Sequence, residues 1–323
     1  MTAQVQVLIS RPPGEPQSLD GFARTVAYRL AAVPGLKVTL VPHLYDLAPD
    51  GPAMQYLRGL QTDLVVLAAL YPRAAFWVLD ACGVRGRLGR TPSLAEEETL
   101  ETLTGPHRQG PTPQRTLWCF DLRAYFDPEL LVQEVLVAIG RGGLPVAAEK
   151  GISGSQTGPA AEAAWHEIAE ATSSRWYPVI DFQQCNDCLE CLNFCLFGVY
   201  GVDKADRPKV EHPEACRPGC PACARICPAG AIMFPQHGDP AIAGDPHAAR
   251  QALRLDLSQV LRGLGPAELA ALERARALNA DPPAAPPAEP QPPQPPPSDS
   301  LSGASAPLVD LDTLVDDVDK LDL

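Results

Sequence analysis

The sequence predicts an α/β domain with a parallel sheet, then a small cysteine-rich α+β module, a helical segment and a disordered tail. Three features of the 323 residues support this prediction. Strand-like and helix-like segments alternate over residues 1–143, eight of the ten cysteines lie between residues 185 and 227, and proline accumulates near the end. Strands that alternate with helices favour a parallel sheet covered by helices. The pattern does not predict the order of the strands.

Four apolar runs are the predicted strands of this sheet, and each precedes a helix-like segment. The run over residues 63–70 is almost continuously apolar, which is typical of a parallel strand covered on both faces. The helix over residues 18–33 repeats its apolar residues at helical spacing, with Ser18 as the predicted N-cap. The predicted strands are 5–10, 37–42, 63–70 and 115–120, and the predicted helices are 18–33, 51–61, 74–83 and 127–140.

The remaining segments follow from composition and periodicity. A helix is predicted over residues 160–172, and a later helical pattern places Leu269, Leu272 and Ala275 on one face. Ten of the nineteen residues from 281 to 299 are proline, which favours an extended spacer. The predicted boundaries are 1–143 for the α/β domain, 144–177 for a linker and helix, 178–247 for the cysteine module, 248–280 for the helical segment, 281–306 for the Pro-rich linker and 307–323 for the tail.

The cysteines of the module form two closely spaced runs. The runs read Cys185-x2-Cys188-x2-Cys191-x3-Cys195 and Cys216-x3-Cys220-x2-Cys223-x3-Cys227-Pro228. Without a secretion signal, such clustering favours metal ligands over disulfides. Three cysteines in a tight loop can hold three corners of a cubane iron–sulfur cluster, and the fourth ligand must come from elsewhere.

An internal repeat relates the two runs. Cys188, Cys191, Cys195 and Gly198 recur 32 residues later as Cys220, Cys223, Cys227 and Gly230, whereas Cys185 recurs at Cys216 with an offset of 31. The second copy therefore contains one extra residue. Each copy is predicted to hold a short strand, a ligand loop, a short helix and a second strand. The strands are predicted at Val179 and Val199–Tyr200 in the first copy, and at Val210 and Ile232–Met233 in the second.

This duplicated layout over residues 178–235 resembles the bacterial-type ferredoxin domain with two [4Fe–4S] clusters. The resemblance implies that the fourth cysteine of each run binds the other cluster. One cluster would take Cys185, Cys188, Cys191 and Cys227, and the other Cys216, Cys220, Cys223 and Cys195. The chain departs from the family pattern at Leu196, where the family has proline, and in the wider spacing that follows Cys216.

The predicted function is intracellular electron transfer by these two clusters, with the α/β domain and the tail docking redox partner proteins. A first alternative is an iron–sulfur subunit or enzyme whose α/β domain binds a flavin or a small substrate. No dinucleotide or phosphate-binding motif follows the first strand, so no motif supports a flavin. A second alternative is a zinc-stabilised interaction protein, because paired cysteines also bind zinc. The sequence predicts no catalytic residue and leaves open whether the protein is an enzyme.

The last 17 residues, 307–323, have an apolar face and an acidic face. The apolar face carries Leu311, Leu314, Val315, Val318 and Leu321 at helical spacing. One hypothesis is that this tail folds as a helix in the groove of a partner, with these side chains as anchors. The alternative is a disordered end that only improves solubility.

Charge and hydropathy exclude several classes of partner. With 26 basic and 39 acidic side chains, the net charge of −13 argues against a nucleic-acid partner. The beginning of the chain lacks the basic and apolar regions of a secretory signal, and no apolar run approaches the length needed to cross a bilayer. We therefore expect a cytoplasmic protein that does not insert into membranes.

Overall fold

A computed structural model describes residues 4–12, 17–91, 114–142, 165–248 and 265–279. The described residues all belong to one compact unit, so the cysteine module and the α/β layer are packed together. The Pro-rich linker, the acidic tail and most of the predicted linker over 144–177 lie outside the described residues. Among the residues described, no helix combines the length and the apolar character needed to cross a membrane.

The predicted parallel sheet is confirmed, and the structure supplies its strand order. All six strands run parallel in the order β4-β5-β3-β1-β2-β6. The strands are β1 (Val5–Ser10), β2 (Leu36–Val41), β3 (Leu64–Ala68), β4 (Arg87–Leu88), β5 (Thr116–Asp121) and β6 (His166–Glu167). From β1 the chain moves to β2 on one side, and it then crosses back to β3 on the other side of β1, as in doubly wound sheets.

Helices cover both faces of the sheet. The helices are α1 (Gln17–Ala31), α2 (Pro52–Gly59), α3 (Pro72–Ala81) and α4 (Pro128–Ala138). α1 and α4 pack on one face, and α2 and α3 on the other, so two apolar cores flank the strands. α4 begins as its sequence predicts, because the Asp127 carboxylate accepts a hydrogen bond from the Glu129 N–H at 2.9 Å. We call β1–β6 with α1–α4 the sheet domain.

Two local predictions in this part are wrong. Ser18 lies inside the first turn of α1, which begins at Gln17. The helix predicted over 160–172 is absent from its described part, residues 165–172, where His166–Glu167 form strand β6 beside β2. The open edge of β2 offers main-chain hydrogen bonds that outweigh the helical preference of this segment, and the Ile168 N–H continues the pairing by donating to the Leu40 carbonyl.

The module has the predicted order of strand, loop, helix and strand in both copies. Its elements are β7 (Val179–Ile180), α5 (Glu190–Phe194), β8 (Tyr200–Val202), β9 (Pro208–Val210), α6 (Ala222–Ile226), β10 (Ile232–Met233) and α7 (Pro240–Ala243). β7 pairs antiparallel with β10, and β8 with β9. The first strand of each copy therefore pairs with the second strand of the other copy, which interlocks the repeat.

A last helix, α8 (Pro266–Asn279), packs against α6 of the module. The helix is confirmed within the described residues, but its predicted contact face is wrong. Leu272 is exposed, whereas Ala270 and Ala277 are buried. Small side chains let the helix approach the second ligand loop closely, and a favourable ion pair between Arg225 and Glu273 (3.1 Å) fixes this orientation.

Candidate metal centre

The eight clustered cysteines line two separate cavities, four in each. Cys185, Cys188, Cys191 and Cys227 line the first site, and Cys195, Cys216, Cys220 and Cys223 line the second. The cavities are similar in size, with about 320 and 310 Å³ of space free of protein atoms, part of it open to solvent. Each cavity combines three cysteines of one run with the fourth cysteine of the other. This grouping coincides with the two ligand sets that the resemblance implies, while ligation itself stays a prediction.

The spacing of the side chains limits what each site can hold. Among the residues that the structure describes, no group of three or more His, Cys, Asp or Glu side chains is arranged to hold a metal ion. A single tetrahedral zinc needs its thiolate sulfurs about 2.3 Å from one centre. A cubane cluster needs a different arrangement from a single ion. Each of its four ligand sulfurs binds a different iron atom, so the sulfurs surround a larger body and lie farther apart.

The backbone turns that shape the two cavities are related by the repeat. Asp187 (φ 58°) corresponds to Gly219 (φ 78°), and Gly198 (φ 69°) corresponds to Gly230 (φ 58°). Aspartate tolerates a left-handed conformation, but this conformation is costly for leucine, so the left-handed Leu189 (φ 60°) indicates that the loop around Cys188 is held by its surroundings. The two copies share left-handed residues at two equivalent positions, whereas Pro221, the counterpart of Leu189, has a φ of −100°.

The extra residue of the second copy is absorbed by a turn ahead of Cys220. The Cys220 N–H donates to the Arg217 carbonyl at 3.1 Å, and Gly219 supplies the left-handed residue of this turn. Cys216 consequently reaches the second site with the other three cysteines. The wider spacing after Cys216 therefore does not remove this cysteine from its group.

Hydrogen-bond donors reach cysteine sulfurs at both sites. The Tyr200 hydroxyl donates to Cys223 Sγ at 3.0 Å, and the Ala231 N–H donates to Cys227 Sγ at 3.3 Å. The first bond belongs to the second site and the second bond to the first site. A hydrogen-bond donor stabilises sulfur in its negatively charged form, which is the form that binds metals.

Burial makes four of these cysteines poor thiolates in the absence of a cation. It raises the pKa of Cys185 to about 11 and the pKa values of Cys191 and Cys216 to about 12. It also places the pKa of Cys223 well above the ordinary value. The unbound thiols of these four cysteines therefore keep their protons at neutral pH, and a metal must displace those protons when it binds.

A buried arginine of the sheet domain connects α3 to both ligand loops. Arg73 Nε lies 2.6 Å from the Asp181 carboxylate, and Arg73 Nη2 donates to the Gly230 carbonyl at 2.9 Å. Asp181 in turn accepts the Gln183 N–H at the start of the first loop. The guanidinium thus joins the beginning of the first loop to the end of the second.

Aromatic and basic side chains cover the second site. Trp176 stacks on Phe234 and donates its Nε1–H to the Cys220 carbonyl at 3.2 Å. From α8, Arg274 lies over the Phe194 ring at 4.4 Å and lines the same cavity. At the first site, by contrast, Cys188 is exposed. The two sites therefore differ in their access to solvent.

The other predicted features lie elsewhere or outside the description. Cys82 and Cys119 belong to the sheet domain, where burial raises the pKa of both thiols, that of Cys119 to about 12. The predicted anchors of the tail, Leu311, Leu314, Val315, Val318 and Leu321, lie outside the described residues. Sequence reasoning placed Tyr200 in a strand and in the apolar surroundings of the cysteines but did not predict its hydrogen bond, and it did not single out Arg73. The available signal was that Tyr200 corresponds to the aliphatic Ile232 in the repeat.

Comparison of the chain with protein-family models, curated proteins and solved structures finds no match. The two cysteine sites and the residues around them therefore provide the evidence for the function.

Proposed function

We propose that the protein transfers electrons by means of two [4Fe–4S] clusters, one bound at each cysteine site. The observation that carries the proposal is the division of eight cysteines between two cavities, each of which takes three cysteines from one run and one from the other. Four thiolates are the usual ligands of a cubane cluster, and this exchange of the fourth ligand is typical of two-cluster ferredoxins. The donor set of each cavity thus fits such a cluster.

When bound, each cluster supplies a centre that accepts or donates one electron. The protein residues bind the centre and limit its contact with water. Ile180 and Ile232 line the first site, and Phe194, Phe197 and Val199 line the second. One apolar core includes cysteines of both sites, so the side chains that shield the two sites belong to one continuous core.

We further propose that the protein works in the cytoplasm with protein redox partners. All ten cysteines are free thiols, as expected in a reducing compartment. The net charge of −13 favours a protein partner over a nucleic acid. The sheet domain and the acidic tail supply surfaces beyond the two sites for selecting that partner.

One observation supports a second candidate function, in which the sheet domain binds a flavin or a small substrate that exchanges electrons with the clusters. The direction in which successive connections move across the sheet reverses between β1 and β3, and doubly wound sheets bind such ligands at the carboxyl ends of the strands beside this point. A flavin released by heating the purified protein would support this candidate, and a preparation free of organic cofactor would favour the simple electron carrier.

The metal content tests the proposal directly. Anaerobically purified protein should be brown and contain about eight iron and eight acid-labile sulfide atoms per chain, from two four-iron clusters. Cys220→Ser should lose about half of the iron, because it removes one ligand of the second site. Cys82→Ser is the matched control and should keep the full iron content. Iron and sulfide analysis with the visible absorbance spectrum measures all three proteins.

Other metal contents would reject the proposal. A colourless protein that contains zinc would show that the cysteines serve a structural role. Equal iron contents in Cys220→Ser and Cys82→Ser would show that Cys220 is not a ligand. The far-UV circular dichroism spectra of Cys220→Ser and Cys82→Ser are compared with that of the original protein. This comparison shows whether a loss of iron results from misfolding.

A further inference from the structure

We infer that the Tyr200 hydroxyl raises the reduction potential of the second site and so makes the two sites unequal. The inference rests on the proposed function, since it concerns a bound cluster. Tyr200 is buried, lines the second cavity and donates its hydroxyl hydrogen to Cys223 Sγ at 3.0 Å. It is a positioning residue that acts on the site through this ligand.

The repeat shows that the first site lacks this donor at the equivalent position. An offset of 32 residues relates Tyr200 to Ile232, and Val199 to Ala231. Val199 and Tyr200 line the second cavity, while Ala231 and Ile232 line the first. At this position of the repeat, the second cavity thus has a phenol and the first an aliphatic side chain.

The direction of the effect follows from electrostatics. Reduction adds one electron to the site, breaks no bond and increases the negative charge on the sulfur ligands. A hydrogen-bond donor stabilises the more negative state more strongly, and hydrogen bonds to sulfur are among the factors that set cluster potentials. The low polarity around the buried Tyr200 strengthens the interaction, because screening by water is reduced there.

The effect of the Tyr200 hydroxyl can be tested by removing its single oxygen atom. Tyr200→Phe keeps the aromatic ring that packs in the core and removes only the donor. At a fixed applied potential near the midpoint, the ratio of reduced to oxidised second site should fall about fivefold, the factor by which one net hydrogen bond shifts an equilibrium. The first site should keep its midpoint.

The measurement is an anaerobic reductive titration with dithionite and redox mediators, followed by electron paramagnetic resonance. Tyr125→Phe is the matched control, because Tyr125 is also buried but donates its hydroxyl hydrogen to Glu134 on the opposite face of the sheet. Iron and sulfide are determined first for each variant. A shift to lower potential of one of two signals in Tyr200→Phe, with both signals unchanged in Tyr125→Phe, is the expected result.

Three results would overturn the inference. Unchanged midpoints in Tyr200→Phe would show that the hydroxyl does not affect the site, and an upward shift would show the opposite effect. A similar shift of both signals would indicate a general change of the module. Absence of iron from the unmodified protein would instead reject the proposed function, and the metal analysis reveals that failure before any titration begins.

Discussion

Arg73→Met is expected to lower the free energy of unfolding by about 3–5 kcal/mol, the usual cost of removing one partner from a buried ion pair. The side chains of Arg73 and Asp181 are only 4% and 3% exposed. Removing the guanidinium leaves the Asp181 carboxylate buried without its cation and the Gly230 carbonyl without its donor. The change also releases both ligand loops from α3.

Urea unfolding of the anaerobic protein, monitored by far-UV circular dichroism, measures this loss. Lys209→Met is the matched control, because it breaks the ion pair of Lys209 with Glu211, whose side chains are 42% and 43% exposed. An exposed pair contributes little to stability, so this variant should unfold close to the original midpoint. Equal midpoints for the two variants would contradict the structural role that we assign to Arg73.

The features that the sequence predicts best are those encoded by local patterns. β1 coincides with the predicted strand 5–10, and β3 lies within the predicted run 63–70. The cysteine spacing and its repeat define two runs, and the two sets that line the cavities are those implied by the resemblance to two-cluster ferredoxins, in which the fourth cysteine is exchanged. β1, β3 and the two cysteine runs are each encoded by residues that lie close together in the sequence.

The features that sequence reasoning missed depend on contacts between distant segments. β6 is only two residues long and exists because the edge of β2 is open. Arg73 lies 108 positions before its partner Asp181, and nothing near it in the sequence distinguishes it from a surface arginine. The nearly continuous apolar character of α3 is apparent in the sequence, but its cause is not. The sheet covers one side of this helix, and Val179 and Met233 of the module cover the other.

Removal of the metal is expected to unfold the module while the parallel sheet persists. The apolar core of the module consists largely of residues that neighbour the cysteines, and several of its members are the cysteines themselves. Its loops also hold Asp187 and Leu189 in left-handed conformations. Without a cation, the buried thiols must remain protonated and contribute no bonds, so under the proposed function metal binding would supply much of the folding free energy. The sheet domain has two large cores of its own.

Limited trypsin digestion of protein treated with an iron chelator and ferricyanide, with fragments identified by mass spectrometry, distinguishes the two parts. Rapid cleavage after Arg225 should appear only in the metal-free protein, because Arg225 is tied to Glu273 and Asp239 when the module is folded. Arg115 is buried in the sheet domain, where its guanidinium donates to the Leu60 carbonyl, and should stay protected in both forms. If Arg225 stays equally resistant after the metal is removed, the module folds without its ligands. The cysteines would then owe their arrangement to the protein fold alone, and a metal would bind at sites that exist in advance.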